Sequence, residues 1–125
     1  MIQANIRLNY LVRYLGNYIS EHYIVTCNVT CIMIKSFSDK ETGKIYQRNY
    51  SKEIPEDIQR RAYRKLLQID LMSELEELRS PPGNRLEKLK GDREGQHSIR
   101  VNQKWRICFE WKGGDAYDVE ITDYH

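Results

Sequence analysis

The sequence predicts an α+β domain in which N-terminal helices pack on one face of a small, mainly antiparallel sheet. Two observations carry this prediction. Between residues 39 and 79, apolar side chains recur at helical spacing, and capping residues stand where helices would begin. Between residues 98 and 122, apolar and polar side chains alternate with a period of two, which is typical of strands that bury one face.

Length and composition fit one domain in a reduced, cytoplasmic setting. The chain has 125 residues, of which 30% are charged and 40% hydrophobic, as in ordinary globular proteins. The net charge is only +2, so any site for anions must come from local clustering of Lys and Arg. The three cysteines match no zinc ligand set. No apolar run approaches the roughly 20 residues that span a bilayer, so no membrane association is expected.

Residues 1–32 differ in composition from the rest of the chain, and polar residues interrupt every candidate signal peptide. A short amphipathic helix over residues 6–19 fits their pattern. Either this segment is an upstream extension and translation starts at Met33, or it is a genuine N-terminal helix that packs against the domain. The composition break at Met33 favours the extension. Formal charges in this segment are confined to Arg7, Arg13 and Glu21.

The helical part begins after a first strand predicted over residues 34–37. Ser38 and Glu41 have the spacing of a capping box, which predicts a helix over residues 39–50. Pro55, followed by two acidic residues, opens a second helix. The buried face predicted for this helix carries Ile58, Ala62, Leu66 and Ile69. The opposite, solvent-facing side carries Gln59, Arg60, Arg64, Lys65 and Gln68.

A third, short helical turn is predicted after the second helix. Ser73 and Glu76 repeat the capping-box spacing ahead of two leucines. The sequence Pro-Pro-Gly-Asn at residues 81–84 ends this turn. The helices are expected to cover one face of the sheet and to leave the other face open.

Three strands form the predicted meander. Gly113, Gly114 and Asp115 supply one hairpin turn, and a second tight turn falls at residues 102–103. Apolar side chains that alternate towards the core are Ile99, Val101, Trp105, Ile107, Phe109, Trp111, Tyr117, Val119 and Ile121. The polar face of the central strand carries Lys104, Arg106, Cys108 and Glu110. Arg100 from the first strand of the meander shares the face of Arg106.

Cations gather along this meander and the segment before it. They are Lys88, Lys90, Arg93, Arg100, Lys104 and Arg106. Such a cluster suits phosphate, because Arg binds it bidentately and Lys acts as a point charge. Taken alone, the pattern is more typical of a solvated strand face that Glu110, Asp118 and Glu120 balance, and a terminal histidine is most often a frayed end.

The string NRLEKLKGDREGQHSIRVNQKWRICFEW, followed by DAYDVEITDYH at the terminus, resembles HigB-type toxins of the RelE/ParE superfamily of bacterial toxin–antitoxin systems. The resemblance covers residues 33–125 and implies the RelE/ParE-like fold for that domain. It further implies an mRNA endonuclease that acts in the ribosomal A site, without a cofactor or metal. The partners it implies are the ribosome, mRNA and a HigA-like helix-turn-helix antitoxin.

RNA can be cleaved without metal when the ribose 2′-OH attacks the neighbouring phosphate, which requires proton transfer and cations at the developing charge. The sequence shows no carboxylate cluster or Cys/His set of metal-ligand type, so this route fits. With the resemblance, Arg106 and Lys90 are the predicted charge stabilisers and His125 the proton-transfer residue. Tyr124 would stack on or hydrogen-bond the scissile nucleotide, and Asp123 would orient the site or accept a proton. The RNA-binding residues predicted beside them are Lys88, Arg93, Arg100 and Lys104.

Three points stay open at this stage. Glu87 occupies a position where some HigB-like toxins have a histidine, which leaves the general base unassigned. ParE-like members of the superfamily inhibit DNA gyrase and cleave nothing, so a non-enzymatic binder is the alternative from another class. An inactive toxin remnant that only binds its antitoxin is the third interpretation. His97 is interpreted as an ordinary strand residue.

Overall fold

Two α-helices precede a four-stranded antiparallel sheet in the computed structural model, which describes residues 33–123. The helices are α1, Lys40–Tyr46, and α2, Glu56–Leu71. The strands, which pair in chain order, are β1, Glu87–Lys88, β2, Gln96–Arg100, β3, Arg106–Lys112, and β4, Asp115–Thr122. The predicted α+β class is confirmed. The helix considered over residues 6–19 and the two origins of residues 1–32 lie outside the described residues, as do Tyr124 and His125.

Helix α1 begins and ends at different residues than predicted. Its N-cap is Asp39 rather than Ser38, because the Asp39 carboxylate accepts both the Thr42 N–H at 2.6 Å and the Thr42 hydroxyl at 2.9 Å. The helix ends at Tyr46 and not at residue 50, since Arg48 adopts a left-handed conformation with φ 65°. The capping signal was therefore real but was assigned one residue too early.

Helix α2 begins after Pro55, as predicted, and its predicted apolar face is buried. Gln59 was expected on the solvent side and is buried instead. Its amide donates to the carbonyls of Ser51 at 2.7 Å and Ile54 at 2.6 Å, and its side-chain oxygen accepts the Ser51 N–H at 3.1 Å. Gln59 thereby satisfies backbone groups of the α1–α2 connection that would otherwise be buried without partners.

The predicted third helical turn is present as a 3₁₀ helix, Leu75–Arg79, followed by a second one, Pro82–Asn84. Ser73 does not cap it, because its hydroxyl donates to the Glu77 carboxylate at 2.9 Å and the N-cap position falls on Glu74. Within residues 33–123, no helix is long and apolar enough to cross a membrane.

Residues 34–37, predicted as a first strand, lie alongside β4 without forming a continuous strand. Two isolated parallel bridges, Ile34 to Ala116 and Phe37 to Val119, join them to the edge of the sheet. The short strand β1 on the opposite edge was not predicted, since two exposed charged residues carry no strand pattern.

The two tight turns of the meander are confirmed. Gly113 and Gly114 both adopt positive φ angles, 56° and 86°, as a two-residue hairpin with the right-handed twist requires. At the other turn, the Asn102 side-chain oxygen accepts the N–H groups of Lys104 at 2.8 Å and Trp105 at 2.6 Å.

A β-bulge changes which residues of β4 face the core. Cys108 pairs with Glu120 and Glu110 with Tyr117, so two residues of β4 oppose the single Phe109. One of these two, Asp118, has φ 52°. The extra residue reverses the alternation before the bulge, and for this reason Ala116 is buried where Tyr117 was expected.

The hydrophobic core lies between the helices and one face of the sheet. Trp105 and Trp111 pack against it while remaining partly exposed, in agreement with their predicted core role. The cluster comprises Ile34, Ile45, Ile54, Ile58, Ala62, Leu66, Ile69, Met72, Leu78, Ile99, Val101, Ile107, Phe109, Ala116, Val119 and Ile121.

The other face of the sheet is not open, contrary to the prediction. The β1–β2 connection folds across it, because Arg93 donates to Gln96 of β2 and to Glu120 of β4, both at 3.1 Å. Since β4 lies two strands from β2, the Arg93 side chain crosses the centre of this face. Cys108 of β3, expected on a polar face, is completely buried as a result.

Candidate functional site

The candidate site lies where β3 begins and β4 ends. Arg106 pairs with Arg100 of β2 and with Thr122 of β4, so these residues share one end of the sheet. Lys104 Nζ lies 3.2 Å from Asp123 Oδ2 at the same end. The structure therefore brings together four of the predicted site residues, Arg100, Lys104, Arg106 and Asp123, which we call the Arg106 end of the sheet.

The Arg106 guanidinium is held along one edge, through its Nε and Nη2 donors. Nε donates to the Ser98 hydroxyl at 2.8 Å, and Nη2 donates to the Arg85 carbonyl at 2.7 Å and more weakly to the Ser98 carbonyl at 3.4 Å. The Glu87 carboxylate is 3.8 Å from Nη2. Nη1 makes no hydrogen bond to a residue within 33–123, and the side chain is 14% exposed. The free edge can therefore donate to an external anion such as phosphate.

Lys88 does not share the face of Arg106, and Lys90 lies in the connection between β1 and β2. Lys88 pairs with His97, so both side chains point to the core side of the sheet rather than to the Arg106 side. Lys90 is exposed and opens the 3₁₀ helix Gly91–Arg93 beside the start of β2. A role for either lysine in binding RNA stays a prediction.

His97 lies away from the Arg106 end. It sits opposite Phe109 on the core side, and the two rings stack with centroids 6.3 Å apart. Partial burial lowers the pKa of the imidazole, and the nearby Lys88 cation lowers it further. This placement agrees with the interpretation of His97 as a strand residue.

Cys108 is unsuited to nucleophilic chemistry in the folded state. It lies beneath the Arg93–Glu120 pair, and burial raises the pKa of its thiol to about 11. A thiol with this pKa is almost entirely protonated at neutral pH, and the thiolate is the reactive form.

Sequence reasoning missed the groups that hold Arg106. Ser98 shares the alternation of Arg100 and so was available as a polar residue on the correct face. The role of the Arg85 carbonyl could not be predicted, because every residue has a backbone carbonyl and the sequence does not distinguish one from another. Among residues 33–123, no group of three or more His, Cys, Asp or Glu side chains could hold a metal ion. The predicted roles of Tyr124 and His125 lie outside the described residues.

Comparison with known proteins gives one family match and several similar proteins. A family model for the RelE-like toxin of the type II toxin–antitoxin system HigB matches residues 35–125. Endoribonuclease HigB of Proteus vulgaris is 39% identical over 93 residues, which cover 74% of this chain and all of that protein. Toxin HigB-1 of Vibrio cholerae serotype O1 is also 39% identical over 93 residues, 74% of this chain and 98% of that toxin. An uncharacterized protein of Haemophilus influenzae is 31% identical over 89 residues, 70% of this chain and 88% of that protein.

Proposed function

Since the chain belongs to the HigB-like family, the RelE-like toxins of type II toxin–antitoxin systems, we propose that it is an endoribonuclease that cleaves mRNA in the ribosomal A site. The observation that carries this proposal is the Arg106 guanidinium, which is held through Nε and Nη2 while Nη1 makes no hydrogen bond to a residue within 33–123. A relative that is 39% identical is named an endoribonuclease, which supports RNA as the substrate.

The proposed reaction is attack of a ribose 2′-OH on the adjacent phosphate. The 2′-oxygen forms a bond to phosphorus while the bond to the 5′-oxygen of the next nucleotide breaks. Negative charge develops on the non-bridging oxygens, where the free edge of Arg106 would donate and Lys90 would contribute charge. The 2′-OH gives up its proton to a base, and the leaving 5′-oxygen gains a proton to become a hydroxyl. His125 carries out one of these two transfers, because an imidazole can accept or donate a proton near neutral pH. Tyr124 stacks on or hydrogen-bonds the scissile nucleotide.

Asp123 has a defined neighbour in this scheme. Its carboxylate lies 3.2 Å from Lys104 Nζ, so the ammonium fixes the carboxylate immediately before the terminal Tyr-His pair of the sequence. We assign Asp123 the role of orienting the site or accepting a proton. The proposed RNA contacts at the Arg106 end are made by Arg100 and Lys104. Lys88, on the other side of the sheet, and Arg93, paired with Glu120, would contact RNA away from this end.

The ribosome is the proposed source of substrate positioning, which can supply a large part of the rate enhancement. This division of labour suits a site whose described part holds few strong acid–base groups. As a type II toxin the protein has an antitoxin partner. We propose a HigA-like helix-turn-helix protein for this role, and a cytoplasmic location, where ribosomes and mRNA meet.

The identity of the cleavage products tests the mechanism. We expect the 5′ fragment to carry a 2′,3′-cyclic phosphate and the 3′ fragment to begin with a 5′-hydroxyl, because internal attack by the 2′-OH leaves no other ends. The measurement is mass spectrometry of fragments from programmed ribosomes, with Mg²⁺ kept present for the ribosomes. A 5′-phosphate on the 3′ fragment would instead point to attack by water and would contradict this mechanism.

The domain boundary at Met33 is a second proposal that can be tested. The core of the described residues is built from positions 34–121. The Proteus vulgaris relative matches 93 residues over its whole length, and residues 33–125 also number 93 (125 − 32). We therefore expect a chain that begins at Met33 to fold and to cleave mRNA at the same rate as the full chain. Thermal unfolding is the control, and a loss of several kcal/mol in stability would place residues 1–32 within the domain.

A further inference from the structure

We propose that Ser98 is a positioning residue for the RNA-cleaving centre, which acts with the backbone carbonyl of Arg85 to hold the Arg106 guanidinium in one orientation. This inference rests on the function proposed above. Ser98 contacts no substrate in this scheme and acts through Arg106.

The two acceptors together fix the plane of the guanidinium. The Ser98 hydroxyl accepts from Nε and the Arg85 carbonyl from Nη2, at 2.8 Å and 2.7 Å. Nε and Nη2 are neighbouring donors of one rigid, planar group, so two acceptors at fixed positions fix the orientation of that plane. A long arginine side chain that is otherwise free to change rotamer is thereby aimed before substrate arrives.

Ser98 is held in the packed interior of the sheet. It lies in the middle of β2, between Glu87 of β1 and Cys108 of β3 in the paired register, and it is completely buried. A buried residue in a central strand has little freedom at backbone or side chain. The hydroxyl oxygen is therefore a fixed point for Arg106.

The Arg85 carbonyl is fixed through helix α2. Arg85 has φ 44°, and its N–H bonds to the Pro82 carbonyl at 3.1 Å. The preceding residue, Asn84, is completely buried, accepts from the Lys65 ammonium, and donates to the Leu78 carbonyl at 3.0 Å. The turn that carries the carbonyl is thus tied to the helical layer of the protein.

Arg106 differs from an arginine in a structural ion pair because its close acceptors are uncharged. Arg93 is paired with the Glu120 carboxylate at 3.1 Å, which neutralises its charge. The close acceptors of Arg106 are neutral oxygens, and Glu87, 56% exposed, approaches only to 3.8 Å. Neutral acceptors orient a cation while leaving its charge available to stabilise a developing anion.

A kinetic cycle with Ser98→Ala tests the inference. In the full chain, on programmed ribosomes under single-turnover conditions, we expect S98A to lower the maximal cleavage rate about tenfold, the effect of one ordinary hydrogen bond. The ribosome concentration at half-maximal rate should change less than about twofold. In an Arg106→Ala background, S98A should lower the rate by less than about a further twofold, because the group it positions is gone.

Ser51→Ala is the matched control. Ser51 is a completely buried serine that hydrogen-bonds Glu41 on the helical side of the molecule. Its loss should affect thermal unfolding as much as S98A does while leaving the cleavage rate unchanged.

A second readout follows the guanidinium directly. The ¹⁵Nε–¹H signal of Arg106 should exchange slowly with water in the wild-type protein and about tenfold faster or more in S98A, with no change in S51A. Three results would overturn the inference. S98A could lower the cleavage rate equally in both backgrounds, it could leave the rate of the otherwise wild-type protein unchanged, or it could leave the Nε–H exchange unchanged. Full activity of R106A would overturn the proposed function, and the inference with it. An inactive R106A beside a fully active S98A overturns the inference alone.

Discussion

Arg106→Ala is expected to lower the single-turnover rate of mRNA cleavage about 10²–10³-fold, the usual effect of removing one charge-stabilising donor. The physical reason is that the free edge of its guanidinium is the described group best placed to meet charge on the phosphorane. The substitution removes the hydrogen bonds that Arg106 donates to Ser98 and to the Arg85 carbonyl, at a cost of about 1–3 kcal/mol if water does not replace the donor. We therefore expect a lower melting temperature but a folded protein.

Arg61→Ala is the control for this experiment, since Arg61 is an exposed arginine on α2. Its cleavage rate should match that of the wild type. If the Arg106 variant is folded and still fully active and toxic, the assignment to cleavage fails. The gyrase-inhibitor interpretation then becomes the better one, and a DNA supercoiling assay with purified gyrase decides it.

Replacing His125 by glutamine, or deleting it, is expected to lower the cleavage rate about 10²–10⁴-fold if it transfers a proton. Folding should change little, because the core of the described residues ends at Ile121. Glutamine retains hydrogen bonding and chain length but cannot titrate, so it separates proton transfer from binding. The measurement is the single-turnover rate as a function of pH.

The His125→Gln variant should lose the pH dependence contributed by the imidazole, and antitoxin binding should survive. His97→Gln is the matched control, since His97 lies on the core side of the sheet. A wild-type rate and an unchanged pH profile in the His125 variant would remove His125 from the mechanism.

The sequence predicted those elements whose signals are local. The spacing of Ile58, Ala62, Leu66 and Ile69 identified α2 and its buried face, because helical periodicity repeats within a few residues. The Gly113–Gly114 turn was equally clear, since positive φ at consecutive residues is a property of the turn itself.

The features that were missed depend on contacts between distant residues. The bulge at Asp118 lies opposite Phe109 and reverses the alternation of buried and exposed side chains along β4, although the β4 sequence itself alternates without interruption. Burial of Cys108 depends on Arg93 reaching Glu120, which is 27 residues further along the chain. The two acceptors of the Arg106 guanidinium, the Ser98 hydroxyl and the Arg85 carbonyl, are likewise 13 residues apart in the chain (98 − 85). Periodicity describes neither kind of contact.

The same reasoning explains how far the site could be predicted. Arg100, Lys104, Arg106 and Asp123 were placed correctly relative to one another because a hairpin meander sets their register. Lys88 was misplaced because β1 was not recognised, and a strand shifted by one residue points every side chain to the other face.

Because the β1–β2 connection covers Cys108, the rate at which reagents modify the Cys108 thiol measures how often this part of the protein opens. Alkylating reagents require a solvated thiolate, and Cys108 has neither solvent contact nor an ionised sulfur while Arg93 spans to Glu120. Cys108 is therefore modified only when the Arg93–Glu120 contact breaks and the connection moves away, or when the sheet unfolds. The modification rate, measured by mass spectrometry of the peptide that contains residue 108, can be compared with the rate of global unfolding. A faster modification rate shows that the connection opens locally while the rest of the domain stays folded.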